Sequence, residues 1–152
     1  IAGLLHDIGK LRVPDEILEK QGKLTPEEYK IIQQHTVDTF NILNQVKGFE
    51  NISQWAADHH EHINATGYPR SKASHELSIE ARIIAVADVF QALAQDRPYR
   101  ESLTPKEILD ILQEKVAYGH LDIDVVSIVE HSLLDAWKAA LLLTDKTQDS
   151  SH

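Results

Sequence analysis

The sequence predicts an all-α fold, and three observations lead to this prediction. Apolar residues recur at helical spacing, two helix-capping motifs are present, and no stretch alternates apolar and polar residues over the length of a strand. A chain of 152 residues can bury one core, so we expect one globular domain. The net charge of −9, without a basic patch, argues against a nucleic-acid polymer as partner. Because cysteine is absent, metal or acid–base chemistry must come from His, Asp and Glu.

The first half of the chain begins with a short apolar helix. This helix is expected to end near His6 and Asp7, with Gly9 as its terminator. The next helix starts at Thr25-Pro-Glu-Glu28, which combines an N-cap, a proline at the first helical position and a capping-box glutamate. Its apolar stripe predicts that it continues until Gly48 stops it.

The rest of the chain predicts four further helices. A third helix is expected from near Asn51 to His62, and a fourth, capped by Ser78, is apolar on nearly every face and therefore central. The motif Thr104-Pro-Lys-Glu107 starts the fifth, and apolar spacing from Val125 to Ala140 predicts the last. We expect an irregular loop over 63–77 and a polar tail over 144–152.

The chain has no candidate membrane span. Its longest purely apolar run is Ala139 to Leu143, and no secretory pattern opens the sequence. We therefore expect a cytoplasmic location without membrane contact by this segment. The chain opens directly on apolar residues and contains no methionine, so we interpret it as cut from a longer protein.

Several histidines lie on or beside apolar helix faces. His35 is at the edge of an apolar stripe, and His59 with His60 ends an inward face. His6 and Asp7, being adjacent, point to different sectors of a helix and could reach two metal ions. The alternatives are a carbonyl-capping His6, a satisfied core histidine at His35 and a solvated, histidine-rich helix end at 59–60.

Asp88 lies on the small-residue stripe of the most apolar helix. An unpaired carboxylate there would cost several kcal/mol, so it is expected to bind a metal or to pair with Arg82 or Arg97. Imidazole and carboxylate ligands without thiolate suit Fe or Mn, with Zn as a further candidate.

These residues resemble the motifs of the HD-GYP domain, a branch of the HD phosphohydrolase superfamily. The order and spacing match over residues 1 to about 100. The resemblance implies an HD-domain-like bundle of about six helices around a buried metal site, formed by residues 1–143. The matching motifs are His6-Asp-Ile-Gly-Lys10, His35, His59-His60-Glu61, Gly67-Tyr68-Pro69, Asp88 and Arg97-Pro-Tyr-Arg100.

The resemblance also implies a role for each of these residues, with two or more divalent metal ions as cofactors. One ion would be bound by His6, Asp7 and Asp88. A neighbouring ion would be bound by Asp7, His35, His59 and His60, so that Asp7 bridges the two.

The basic residues of the motifs would act on the substrate. Lys10 would approach the scissile phosphate, and Arg97 and Arg100 would hold phosphate oxygens. Together with Asp7, Lys10 is the expected catalytic group.

The function implied by the resemblance is hydrolysis of cyclic di-GMP to linear pGpG and on to GMP in bacterial signalling. Cyclic GMP-AMP is an alternative substrate. The alternative function is a non-catalytic or weakly active module that binds nucleotide or a diguanylate cyclase domain, the latter through the Gly67-Tyr68-Pro69 loop. A nucleotide phosphohydrolase of the wider HD class would not explain the paired histidines or that loop. The family also implies a sensory or receiver domain upstream.

Three departures from the family pattern accompany the resemblance. Asn64-Ala65 replaces the usual Asp-Gly, and an alanine in left-handed backbone is strained, so we expect a different turn there. Gln91 and Ala94 replace an acidic residue and a hydroxyl. The family supplies a further ligand from helices upstream of the His-Asp motif, and this chain is expected to lack them.

Overall fold

The computed structural model describes residues 1–96 and 101–148 and is helical, as predicted. Among these residues there is no strand, only one isolated bridge between Asn64 and Ala73. None of the described helices combines the length and the apolar character needed to cross a membrane. The α-helices are α1 (Ala2–Leu5), α2 (Asp15–Leu18), α3 (Pro26–Leu43), α4 (Glu50–Ala57), α5 (Ile79–Ala94), α6 (Pro105–Ala117), α7 (Ile123–His131) and α8 (Leu133–Gln148). Three 3₁₀ helices cover Ile8–Arg12, Asp58–His60 and Ser74–Glu76.

The helix count exceeds the expected six for two reasons. The short helix α2 was not predicted, and the predicted last helix is divided into α7 and α8. The division falls at Ser132, whose backbone leaves the helical region with φ −117° and ψ 23°. Apolar spacing continues across Ser132, so it does not reveal the break. Helix α8 continues through Gln148, into the segment expected to be a tail.

Both predicted capping boxes are present. The Thr25 hydroxyl accepts the Glu28 amide at 3.2 Å while the Glu28 carboxylate accepts the Thr25 amide at 2.7 Å. Thr104 and Glu107 exchange the same pair of bonds before α6. The predicted end of α3 is wrong, because α3 stops at Leu43 and Gly48 lies in the following turn with a φ of 89°.

The third predicted helix ends earlier than expected. Helix α4 stops at Ala57, and the chain continues as the 3₁₀ helix Asp58–His60. This 3₁₀ helix ends with a hydrogen bond from the Glu61 amide to the Asp58 carbonyl oxygen at 2.9 Å. The two adjacent histidines therefore belong to a tight turn rather than to a helix face.

The described chain divides into two compact units, residues 1–85 and 86–152, and the boundary falls within α5. In the first unit, α3 packs against α4, α2 and the 3₁₀ helix Ile8–Arg12, while α1 packs against α4. The core of this unit is built from Ala2, Leu43 and Ala56, with Leu5, Ile8, Phe49, Ile52, Trp55 and Ile84 against them.

The second unit contains α6, α7 and α8, each of which contacts the other two. Ile108 and Leu112 of α6 are fully buried, and Val125 and Val126 of α7 are buried with them. The indole nitrogen of Trp137 donates to the Leu103 carbonyl at 3.2 Å and so ties α8 to the segment before α6.

Candidate metal centre

Three segments of the first unit supply five of the predicted ligands. His6 and Asp7 lie between α1 and the 3₁₀ helix Ile8–Arg12, His35 is in the middle of α3, and His59 and His60 end the 3₁₀ turn after α4. Helix α3 contacts the 3₁₀ helices Ile8–Arg12 and Asp58–His60, so the side chains of all three segments converge. The ring centroids of His6 and His59 are 4.7 Å apart, and those of His35 and His60 are 5.3 Å apart.

Three of the imidazoles are oriented by their own backbone. In each of them Nδ1 contacts the carbonyl oxygen three residues earlier: His6 with Gly3 at 2.8 Å, His35 with Ile32 at 2.5 Å and His59 with Ala56 at 2.6 Å. A carbonyl only accepts, so Nδ1 carries the proton and donates it. In the neutral ring Nε2 is then left with a lone pair, which is the form that binds a metal.

The Asp7 carboxylate lies among these three Nε2 atoms. Its Oδ1 is 3.4 Å from Nε2 of His35 and 3.9 Å from Nε2 of His59, while Oδ2 is 3.5 Å from Nε2 of His6. The two oxygens of one carboxylate thus face different imidazoles.

The residues of this site fit a divalent metal ion. Ligand atoms about 2.1 Å from one ion lie about 3.0 Å apart when adjacent and about 4.2 Å apart when opposite in octahedral geometry. The three separations around Asp7 fall in this range. Nε2 of His35 and Oδ1 of Asp7 are buried and make no hydrogen bond within the described ranges 1–96 and 101–148, which is costly unless a cation serves them. Ligand atoms of His35, His59 and His60 all lie within 4.8 Å of one another.

The electrostatics of the site favour neutral imidazole beside an ionised carboxylate. Burial lowers the pKa of His35, which is only partly opposed by its Ile32 hydrogen bond and by the charge of Asp7. Burial raises the pKa of Asp7, but the Lys10 hydrogen bond, together with the charge of Lys10 and that of His6 and His59 whenever these are protonated, holds that pKa below its usual value. Both groups are therefore in the protonation state that a metal requires near neutral pH.

Lys10 lies at the edge of the site. Its ammonium contacts Oδ2 of Asp7 at 2.6 Å, and its side chain is 38% exposed. It is thus close to the carboxylate and open to solvent, which is the position that a phosphate-binding cation needs.

The remaining predicted metal-binding and phosphate-binding residues follow residue 85 in the chain. Asp88 is half-buried on α5, in the second compact unit, and its role stays a prediction. Arg97 and Arg100 lie outside the described residues. Arg82, a candidate partner of Asp88, donates to the carbonyl oxygens of Leu77 and Ser74.

The Gly67-Tyr68-Pro69 motif lies next to the paired histidines. A Cβ on Gly67 would be 2.4 Å from the His60 carbonyl oxygen and from the His62 amide, so only glycine permits this approach. The Tyr68 ring centroid is 4.8 Å from that of His60, at an interplanar angle of 31°, and the Tyr68–Pro69 peptide bond is cis.

The expected change of turn at Ala65 is wrong. Ala65 adopts left-handed backbone, with a φ of 61°. The neighbouring residues hold it there: Asn64 accepts the amide and the hydroxyl of Thr66 at 3.1 and 2.6 Å, and the Ala65 amide donates to the His62 carbonyl at 3.0 Å. These bonds outweigh the strain of one alanine.

Sequence reasoning missed two supporting residues. Gly9 is not a helix terminator but the point where α3 is closest, since a Cβ there would be 2.0 Å from the His35 carbonyl oxygen. Thr39, fully buried, donates its hydroxyl to the His6 carbonyl at 2.9 Å and accepts the Gly9 amide at 3.0 Å. In the sequence, the position of Thr39 one turn after His35 indicates that this threonine faces the same side of the helix as His35.

Comparison with known proteins identifies the family of this chain. The HD domain profile matches residues 1–125. A 3'3'-cGAMP-specific phosphodiesterase of Vibrio cholerae is 45% identical over 85% of this chain and 30% of its own length. A cyclic di-GMP phosphodiesterase of Thermotoga maritima is 35% identical over 99% of this chain and 41% of its own length. One of Pseudomonas aeruginosa is 40% identical over 80% of this chain and 29% of its own.

The chain belongs to the HD domain family, in its HD-GYP branch. It spans 29% to 41% of the length of these three relatives.

Proposed function

We propose that this domain is a metal-dependent phosphodiesterase that hydrolyses cyclic dinucleotides. The observation that carries the proposal is the Asp7 carboxylate, which lies 3.4 to 3.9 Å from the Nε2 atoms of three imidazoles. Nδ1 of each imidazole is already bonded to a carbonyl oxygen. The ligands are therefore oriented before any cation binds.

Two divalent ions are proposed, with Asp7 shared between them. His35, His59 and His60 would complete the set for one ion, and the proximity of their ligand atoms supports this group. His6 and Asp88 would serve the other, where the assignment of Asp88 rests on the family motif. The set contains no thiolate, so we favour Fe or Mn and keep Zn as an alternative.

When bound, such cations lower the pKa of water and neutralise charge on a phosphate. The chain's own groups position the substrate. Lys10, paired with Asp7 at 2.6 Å, can turn toward an anionic phosphate oxygen from its half-exposed place. Arg97 and Arg100 are proposed to hold further phosphate oxygens.

The proposed substrate is cyclic di-GMP, cleaved to linear pGpG and then to GMP. Relatives named for cyclic di-GMP are 35% and 40% identical to this chain, which supports that substrate. The second candidate is 3'3'-cGAMP, because a relative named for it is 45% identical. Docking of a diguanylate cyclase domain on the Gly67-Tyr68-Pro69 loop, and an upstream sensory or receiver domain, stay predictions.

The test is turnover of both cyclic dinucleotides by purified protein loaded with Mn²⁺ or Fe²⁺, with products separated by chromatography. His59→Ala and Asp88→Asn are expected to abolish hydrolysis while circular dichroism stays unchanged. The matched control is His131→Ala, because exposed His131 on α7 makes the same kind of Nδ1 contact, to the Ser127 carbonyl at 2.6 Å. Binding without turnover in the wild type would favour the non-catalytic module. Turnover retained in His59→Ala would overturn the metal assignment.

A further inference from the structure

The loop formed by residues 67–72, here called the Tyr68 loop, lies directly on the turn that carries His59 and His60. Its first residue, Gly67, leaves no room for a Cβ against the His60 carbonyl oxygen. The Tyr68 amide donates to that same carbonyl at 3.1 Å. A shift of the loop would therefore move the backbone of His60.

The Tyr68 ring also limits the His60 side chain. The His60 imidazole lies near Tyr68 at 4.8 Å and near His59 at 4.0 Å, measured between ring centroids, with His35 at 5.3 Å. With these rings around it, His60 has little freedom to leave the orientation that brings its ligand atom toward His35 and His59.

Two buried acids on either side of the paired histidines hold the Tyr68 loop. Glu61, 3% exposed, accepts the amides of Arg70 and Lys72 at 2.7 and 2.9 Å. Asp58, also 3% exposed, accepts the Lys72 ammonium at 2.5 Å and the side-chain amide of Gln54 at 2.8 Å. The side chain of Lys72 is itself only 16% exposed, so this ion pair is largely shielded from water.

A second contact of the same loop leads away from the histidines. The Arg70 guanidinium lies 5.2 Å from the centre of the Phe40 ring and donates to Gln54 at 3.0 Å. Arg70 therefore attaches the loop to α3 and α4, and its guanidinium also lies 4.0 Å from Oδ1 of Asp58. The shorter contact with Asp58 is that of the Lys72 ammonium, at 2.5 Å from Oδ2.

We infer that the Asp58–Lys72 ion pair positions the metal ligand His60 by holding the Tyr68 ring against it. Asp58 and Lys72 are thus positioning residues, which act through Tyr68 and touch neither metal nor substrate. Without the ammonium, the buried Asp58 carboxylate keeps the Gln54 amide at 2.8 Å and the Arg70 guanidinium at 4.0 Å but loses its shortest contact. Water must then replace the ammonium, which loosens the loop and releases the Tyr68 ring. His60 then gains rotamers and binds the ion more weakly. The inference rests on the proposed function, because it takes His60 to be a ligand.

The test measures Mn²⁺ binding by calorimetry. Lys72→Met keeps the stem of the side chain and removes the charge, and it is expected to weaken Mn²⁺ binding at least tenfold, as loss of outer support does at other metal sites. Lys72→Arg should restore affinity. Tyr68→Ala should weaken binding as Lys72→Met does, and Tyr68→Phe should not. Lys106→Met is the matched control, since it breaks an exposed ion pair, with Asp110 at 2.9 Å, on α6.

A double-mutant cycle separates positioning from general damage. In a His60→Ala background, Lys72→Met should cause no further loss of affinity, because the residue it positions is gone. Equal loss in both backgrounds, or wild-type affinity in folded Lys72→Met, would overturn the inference. If Lys72→Met does not fold, wild-type affinity in Tyr68→Ala would overturn it. A wild type that binds no Mn²⁺, Fe²⁺ or Zn²⁺ would instead refute the proposed function, and the inference with it.

Discussion

The Thr39 hydroxyl joins α3 to the segment that carries His6 and Asp7. It donates to the His6 carbonyl and accepts the Gly9 amide, at 2.9 and 3.0 Å, and the residue is fully buried. Thr39→Val keeps the shape of the side chain and removes both bonds. If this hydroxyl holds the His-Asp segment in place, the substitution should cost stability and metal affinity together.

The magnitude follows from the two backbone groups that lose the hydroxyl. Each buried polar group without a partner costs about 1–3 kcal/mol, and the added methyl group of valine returns about 1 kcal/mol. For the two groups together, Thr39→Val should therefore lower the free energy of unfolding by about 1–5 kcal/mol, with a midpoint of about 3 kcal/mol. Thr39→Ser keeps the hydroxyl and loses one methyl group, which costs about 1 kcal/mol. The hydrogen bonds thus predict that Thr39→Ser is more stable than Thr39→Val. Side-chain shape alone predicts the opposite, because valine has the shape of threonine whereas serine leaves a void.

The assay is urea unfolding of the metal-free protein, followed by circular dichroism. Thr36→Val is the control, because Thr36 is also fully buried on α3 but its hydroxyl donates only locally, to the Gln33 carbonyl at 2.9 Å. It is expected to change stability by less than about 1 kcal/mol. If Thr39→Val were as stable as the wild type, or more stable than Thr39→Ser, the argument would be refuted.

Four further results are expected. Gly9→Ala should lower the free energy of unfolding by more than about 3 kcal/mol, since its Cβ would be 2.0 Å from a carbonyl oxygen of α3, whereas Gly3→Ala meets nothing within 4 Å and should be tolerated. Ala65→Gly should stabilise by about 0.5 kcal/mol in thermal unfolding, because relief of left-handed strain exceeds the entropy that glycine adds to the unfolded chain; a loss would contradict this. The Lys20 hydrogen bond holds the pKa of Glu28 below its usual 4.5, so the stability difference between wild type and Glu28→Gln should be complete above pH 4.5 and vanish as the pH falls through the lower, folded-state pKa. Mn²⁺ at 100 times its dissociation constant should stabilise the protein by about 2.7 kcal/mol, and a chelator should reverse this; identical melting with and without the ion would exclude a native metal site.

Local signals in the sequence predicted the helix starts. The capping boxes at Thr25 and Thr104 each use residues three apart, so their bonds depend on nothing distant in the chain. The helix ends were predicted less well. At Ser132 the apolar spacing continues although the helix does not, and α3 stops before Gly48 because the next turn, not the glycine, redirects the chain.

The convergence of the candidate ligands was predictable for a different reason. Imidazole and carboxylate groups next to apolar residues need a partner when they are buried. The side chains of His6, Asp7, His35, His59 and His60 converge in the structure, although His35 alone of these five lies within an α-helix. The residues that hold them were not predictable, because their bonds cross long separations. Thr39 bonds Gly9 across 30 positions, and its place one turn after His35 indicates that it is buried but not which residue it bonds.

Ala65 shows why a local rule can fail beside a functional site. Its propensity argues against left-handed backbone by about 1–2 kcal/mol, and the sequence alone therefore predicts a changed turn. The turn is set instead by contacts that do not depend on the side chain at position 65. They are the bonds of Asn64 to Thr66, the bond of the Ala65 amide to the His62 carbonyl and the contact of Gly67 with the His60 carbonyl. Because that contact adjoins the paired histidines, relaxing the turn would displace the loop that packs on His60. The contacts that position the site thus also offset the strain at Ala65. A propensity rule that considers one residue at a time does not include these contacts and therefore predicts the wrong turn.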